Sequence, residues 1–120
     1  MIAVLFEAWV PDAAQGAYLD LAAELRPMLA DLDGFISIER FQSLSEPGKV
    51  LSLSFWLDEA AVAAWRNSPE HRRVQTAGRA EVFKDYRLHV ATITRSYSLS
   101  LRDEAPADSL VAHGKEPDDV

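Results

Sequence analysis

An α+β domain built on one antiparallel sheet is what this sequence predicts, and three observations carry that prediction. Residues 2–10, 35–43, 49–57 and 86–94 are rich in β-favouring residues with a period near two, which marks four strands. Apolar residues recur at helical spacing between the first and second of these stretches and again between the third and fourth. The second and third stretches are joined through Ser-Glu-Pro-Gly-Lys, short enough to make an antiparallel hairpin. The order strand, helix, strand, strand, helix, strand fits a ferredoxin-like βαββαβ arrangement, a four-stranded antiparallel sheet with two helical segments on one face.

Each element has its own local justification. The first strand is carried by Ile2, Val4, Phe6 and Val10, stops at Pro11, and is largely apolar on both faces, so both are expected to be covered. Asp12 with Gln15 three residues on resembles a capping box. Ala14, Tyr18, Leu21, Ala22, Leu25, Met28, Leu29 and Leu32 then form a helical stripe that ends before Gly34, with Pro27 expected to bend or split the helix near Arg26. In the hairpin, Ile36 and Ile38 are expected on one face of the first strand and Phe35, Ser37, Glu39 and Phe41 on the other, while Leu51, Leu53, Phe55 and Leu57 make an apolar face on the second. Asp58 is placed to cap one short helix, and Ser68, with Pro69 at the first helical position, to cap another after a break at Asn67. Tyr86 to Thr94 is the last strand, with Leu88, Val90 and Thr92 on one face, Arg87, His89 and Ala91 on the other, and Ser96 to Leu101 as a short extension. The domain is placed at 1–98; residues 99–120 are expected to be an acidic, loosely ordered tail.

Composition narrows the function classes. With 120 residues, the chain has the length of one domain, small for a self-contained enzyme, so a paired assembly is expected. Of a net charge of −7, much falls in residues 99–120, which hold six acids and two bases. No basic stripe exists to displace phosphate counterions, which argues against nucleic-acid binding. Apolar runs are too short for a membrane helix and the N-terminus lacks a basic region before its apolar stretch, so a cytoplasmic location without membrane contact is expected. The absence of cysteine removes thiolate ligands and nucleophiles, and His71, His89 and His113 have no metal-binding spacing. The five glycines are scattered singly and form no phosphate loop, so no cofactor is expected.

Potential chemistry concentrates in Trp65 to Arg79, WRNSPEHRRVQTAGR. On a helix starting near Pro69, His71, Gln75, Gly78 and Val82 fall within an arc of about 60° beside an apolar stripe. A neutral imidazole there can take a proton from a phenolic substrate, which makes His71 the candidate catalytic base; its bland alternative is a bond to backbone or solvent. Trp65 is either a substrate-stacking wall or plain packing, and Gln75 and Tyr86 are candidate substrate contacts. Arg79 suits a surface or interface ion pair. His89 suits either the pocket or a charge network with Glu7, Glu39, Arg40 and Arg87. Trp9 and Trp56, at strand ends, suit packing.

Three segments, GFISIERF (34–41), LSLSFWLDEAAVAAWRNSPEHRRVQTAGR (51–79) and FKDYRLHVA (83–91), together with the element order, resemble the antibiotic biosynthesis monooxygenase family over about residues 1–98. RDEAP (102–106) is similar to a tail found in some members. The resemblance implies a dimeric α+β barrel in which two such sheets pack face to face. It also implies a cofactor-independent monooxygenase acting with O2 on a phenolic, anthrone or quinol-type molecule; for that reaction the residues themselves offer His71 as candidate base and Trp65, Gln75, Tyr86 and His89 as candidate substrate contacts. A homodimer that binds a small hydrophobic or aromatic molecule without catalysis is the alternative. Haem-degrading members carry an axial histidine ten residues after the tryptophan and an asparagine near the end of the first strand. Here those places hold Gln75 and Glu7–Ala8, which disfavours haem.

Overall fold

The computed structural model describes residues 1–77 and 83–114. Arg79, Gly78 and Val82, and the end of the tail, lie outside the described residues. Strands β1 (Ile2–Trp9), β2 (Phe35–Gln42), β3 (Lys49–Trp56) and β4 (Asp85–Thr92) form one sheet in the order β2-β3-β1-β4. All its pairs are antiparallel. Helix α1 (Gln15–Ala30) connects β1 to β2, and α2 (Glu59–Arg66) and α3 (Pro69–Ala77) connect β3 to β4. This is the ferredoxin-like α+β order expected from the sequence.

Helices and sheet meet in two adjoining clusters. In one, Ile2 and Trp56 from the sheet pack against Leu29 of α1 and Val62 and Trp65 of α2. In the other, Ala8 and Val10 pack with Tyr18, and Phe6, Phe83 and Tyr86 close around them. Burial of such side chains is worth roughly 1.5–3 kcal/mol each, so these clusters hold α1 and α2 on a single face of the sheet.

Local chemistry explains the connections. Asp58 Oδ1 accepts from the backbone N–H of Ala61 at 2.9 Å, capping α2 as expected. Ser68 Oγ accepts from the N–H of His71 at 3.2 Å and donates to the Trp65 carbonyl at 2.9 Å, so one hydroxyl ends α2 and starts α3. The β2–β3 turn uses Gly48 at φ +81°, with its carbonyl accepting from Val10 N–H at 2.8 Å.

Four expectations are corrected. Asp12 caps nothing: residues Asp12–Ala14 form a 3-10 turn, with Ala14 at the N-cap of α1 and no side-chain bond there. α1 is unbroken through Pro27, because Leu25, Met28, Leu29 and Leu32 are anchored in the core on both sides of it and only one turn of helix follows. In β2 the register shifts between Phe35 and Ser37, so Ile36 is passed over and Phe35 shares the helix-facing side with Ile38. No strand continues over 96–101; Ser98 N–H instead bonds the Leu101 carbonyl at 2.9 Å in a turn. Beyond the sheet, Ala107–His113 form a short helix, α4. Among the described residues no helix is long and apolar enough to cross a membrane.

Candidate functional site

Pairing register decides which side chains can meet over the sheet. Arg40 lies opposite Ser52, Ser52 opposite Phe6, and Phe6 opposite Leu88; one step along, Ile38, Ser54, Val4 and Val90 form the parallel row. All eight point toward the helices and line a cavity of about 230 Å3 between sheet and helices. The opposite wall is Tyr18, Leu21, Ala22, Leu25 and Leu29 of α1, with Val62, Trp65 and Arg66 of α2 and His71 and Gln75 of α3. The lining is mostly aliphatic and aromatic. Its charged members are Arg40 and Arg66, and it contains no aspartate or glutamate among the described residues.

Ser52 and Ser54 are why there is space. Both stand where a larger side chain would pack against α1, and Ser54 Oγ is occupied by accepting from Trp56 Nε1 at 2.9 Å. Beside them the aromatic group Phe6, Phe83, Tyr86 and Tyr18 closes the wall, with ring centroids 5.4–6.1 Å apart. Offset and edge-on contacts of this kind hold rings in place beyond the effect of area alone.

The structure brings four of the five sequence-derived candidates to this cavity: Trp65, His71, Gln75 and Tyr86. Trp65 is buried and meets His71 edge-on, centroid to centroid 4.5 Å at 71°. His71 Nδ1 is shielded from solvent and has no hydrogen-bond partner. Burial, and to a smaller extent the positive charge of Arg72, lower the His71 pKa below its ordinary 6.5, so the imidazole is neutral at neutral pH. Gln75 Oε1 accepts from Arg72 Nη1 at 3.3 Å, and an ion pair from Arg73 to Glu24 ties α3 to α1.

His89 is the exception. It pairs with Leu5 on the side of the sheet facing away from α1–α3, one residue out of phase with Leu88 and Val90, so it does not line the cavity. On that side Glu7 meets Lys49 at 3.6 Å and Arg87 at 3.9 Å, part of the expected charge network. Arg40 is not in it, because it stands on the cavity face; its Nε is shielded and unpartnered. The sequence signal that places Arg40 beside the cavity is its shared parity with Ile38.

A model of the antibiotic biosynthesis monooxygenase family matches residues 1–77. The chain belongs to that family. It is 46% identical over 96 residues to a jasmonate monooxygenase from Pyricularia oryzae, an alignment covering 80% of this chain. The chain spans only 45% of that fungal relative's length. A Bacillus subtilis protein of uncharacterised function, YqjZ, is 27% identical over 93 residues, covering 78% of this chain and 79% of its own. Among solved structures, a Deinococcus radiodurans protein assigned to antibiotic biosynthesis monooxygenases superposes with a TM-score of 0.74 at 14% identity, covering 82% of this chain and 97% of that one. SnoaB, a cofactor-independent oxygenase from Streptomyces nogalater, superposes with a TM-score of 0.69 at 16% identity, over 79% of this chain and 94% of that one. At these identities the structural likenesses speak for the fold.

Proposed function

We propose that this family member is a cofactor-independent monooxygenase that uses O2 to oxidise a small apolar molecule of phenolic, anthrone or quinol type, acting as a homodimer. The observation that carries the reading is an apolar cavity whose wall holds a neutral imidazole with a shielded, unpartnered Nδ1. The oxygenase activities named for the fungal relative and for SnoaB support the reaction class.

In this reading His71 takes a proton from the substrate's phenolic hydroxyl or activated CH2, leaving an electron-rich anion. The anion passes one electron to O2. The substrate radical and superoxide then combine through a new C–O bond to give a peroxide. Loss of water, with His71 returning its proton to the departing hydroxide, leaves a carbonyl. The balance is CH2 plus O2 giving C=O plus H2O, one oxygen atom entering the product. The aliphatic and aromatic lining keeps competing water away from the anion, Trp65 forms the wall against which the ring lies, and Gln75 and Tyr86 hold the substrate oxygens.

Metal-free protein is expected to consume O2 with a member of a panel of anthrones, naphthols and hydroquinones, and to place one atom of 18O2 in the product. His71→Ala is expected to lower kcat by roughly 10²–10⁴-fold, the range of a lost general base. O2 uptake no faster than without protein, across the panel, would sink the reading. A second reading, a non-catalytic binding dimer, rests on the mostly aliphatic and aromatic cavity lining, which suits holding a small apolar molecule without any reaction. It requires ligand affinity without turnover, in wild type and His71→Ala alike.

A further inference from the structure

We infer that the molecule this cavity accepts carries a carboxylate as well as an apolar body, and that Arg40 is the residue that recognises it. The inference rests on the reading of the cavity as a substrate site and specifies the substrate's chemistry.

A guanidinium is permanently charged and carries its N–H donors in a planar fork matched to a carboxylate. Such a group beside an apolar cavity normally has an acid to pair with, because an uncompensated charge out of water is costly. Arg40 has none. Its Nε–H is shielded from solvent without an acceptor, and it forms no ion pair among the described residues. The neighbouring Glu39 points to the other side of the sheet, opposite Leu53. In a chain of net charge −7, the cavity's charged residues are nonetheless Arg40 and the exposed Arg66, with no acid among the described residues of its lining.

Position supports the same assignment. Arg40 lines both the inner cavity and an outer groove between α1 and β2 whose charged residues are Arg26, Glu39 and Arg40, two bases to one acid, so it stands in the wall the two share. A ligand anion held there sits close to water while its apolar part extends from Arg40 past Ser52 and Phe6 to Leu88, three strand spacings or about 14 Å of sheet. An anchored end would fix which atom of the ligand meets His71 on the opposite wall. Arg40 is thus a binding and orienting residue, and the proton transfer remains with His71.

The test compares matched probes under nitrogen, where binding is read without turnover: 1-naphthylacetate against 1-naphthylacetamide, and decanoate against 1-decanol, by titration calorimetry. Each carboxylate is expected to bind wild type roughly tenfold or more tightly than its uncharged partner, the usual worth of a charge-assisted bond. Arg40→Met, which keeps the apolar stem, and Arg40→Gln, which keeps the bulk, are each expected to erase that ratio while leaving the uncharged probes' affinity unchanged. Arg40→Lys is expected to keep part of it. Failure of both carboxylates to bind would overturn the inference. So would a ratio that survives in Arg40→Met, or one that survives there but vanishes in Arg66→Met. O2 uptake by the same samples is scored separately: carboxylate selectivity without any turnover leaves this inference standing and removes the monooxygenase, whereas turnover of neutral phenols by a wild type that shows no carboxylate selectivity does the reverse.

Discussion

His71 is kept neutral by its surroundings, and that has two measurable consequences of definite sign. As a base it works only when unprotonated, so kcat/KM is expected to rise with pH through a folded-state pKa below 6.5 and to be flat above it. For stability, the unfolded chain binds a proton at about pH 6.5 that the folded chain refuses until lower pH, so acid favours unfolding. The His71 contribution is fully present above that pH, is lost as pH falls through the window down to the lowered folded value, and changes no further below it. Urea midpoints of wild type and His71→Asn are expected to converge or cross as pH falls through that window; parallel curves would show that the imidazole is not shielded. The position was readable in advance, because helical spacing after the Ser68–Pro69 start places His71 and Gln75 together beside an apolar stripe. Arg40 was harder. Among Glu39, Arg40 and Arg87 its type suggests a charge network, and only the pairing register shows that it faces the helices.

At the scale of elements, the α1–β2 turn packs directly against α2. Gly34 adopts φ +83°, its carbonyl accepts from Leu57 N–H at 2.7 Å, and a Cβ added there would lie 2.6 Å from Ala61 Cβ. Gly34→Ala therefore combines a left-handed backbone with a clash against a helix side chain that cannot swing aside. A loss of roughly 2–4 kcal/mol in urea unfolding is expected. Gly16, inside α1 with nothing within 4 Å of its would-be Cβ, is the opposite case, and Gly16→Ala is expected to stabilise by about 0.5 kcal/mol. Equal effects at the two sites would contradict this account. Element order, hairpin and both serine and aspartate caps followed from local patterns that tertiary packing reinforces. The features that did not follow are those where packing overrides a local rule. Core anchorage carries α1 through Pro27, the irregularity at Ile36 resets the parity of β2, and the clean apolar side of β3 turns away from the helices while serines face them around a cavity.

At the scale of the whole molecule, that last inversion bears on assembly. The sheet side away from α1–α3 carries Leu5, Leu51, Leu53 and Phe55, each only half-buried, between Glu39 and Phe41 at the β2 edge and Arg87 and His89 at the β4 edge. An apolar centre of this kind with opposite charges at its two margins is self-complementary under a two-fold axis, which can set the acids of one copy against the bases of the other. A second copy packed sheet to sheet would bury both centres and leave the two cavities, which lie between sheet and helices on the other face, independent. Light scattering at micromolar concentration is expected to give twice the 13.3 kDa chain mass. Leu53→Asp, placing a charge at the centre of the face, is expected to shift the equilibrium to monomer while circular dichroism stays native-like and carboxylate selectivity at Arg40 persists. A wild-type mass equal to one chain at these concentrations would remove the face-to-face dimer. Loss of ligand binding on dissociation would show that the partner completes the site, making the two cavities coupled.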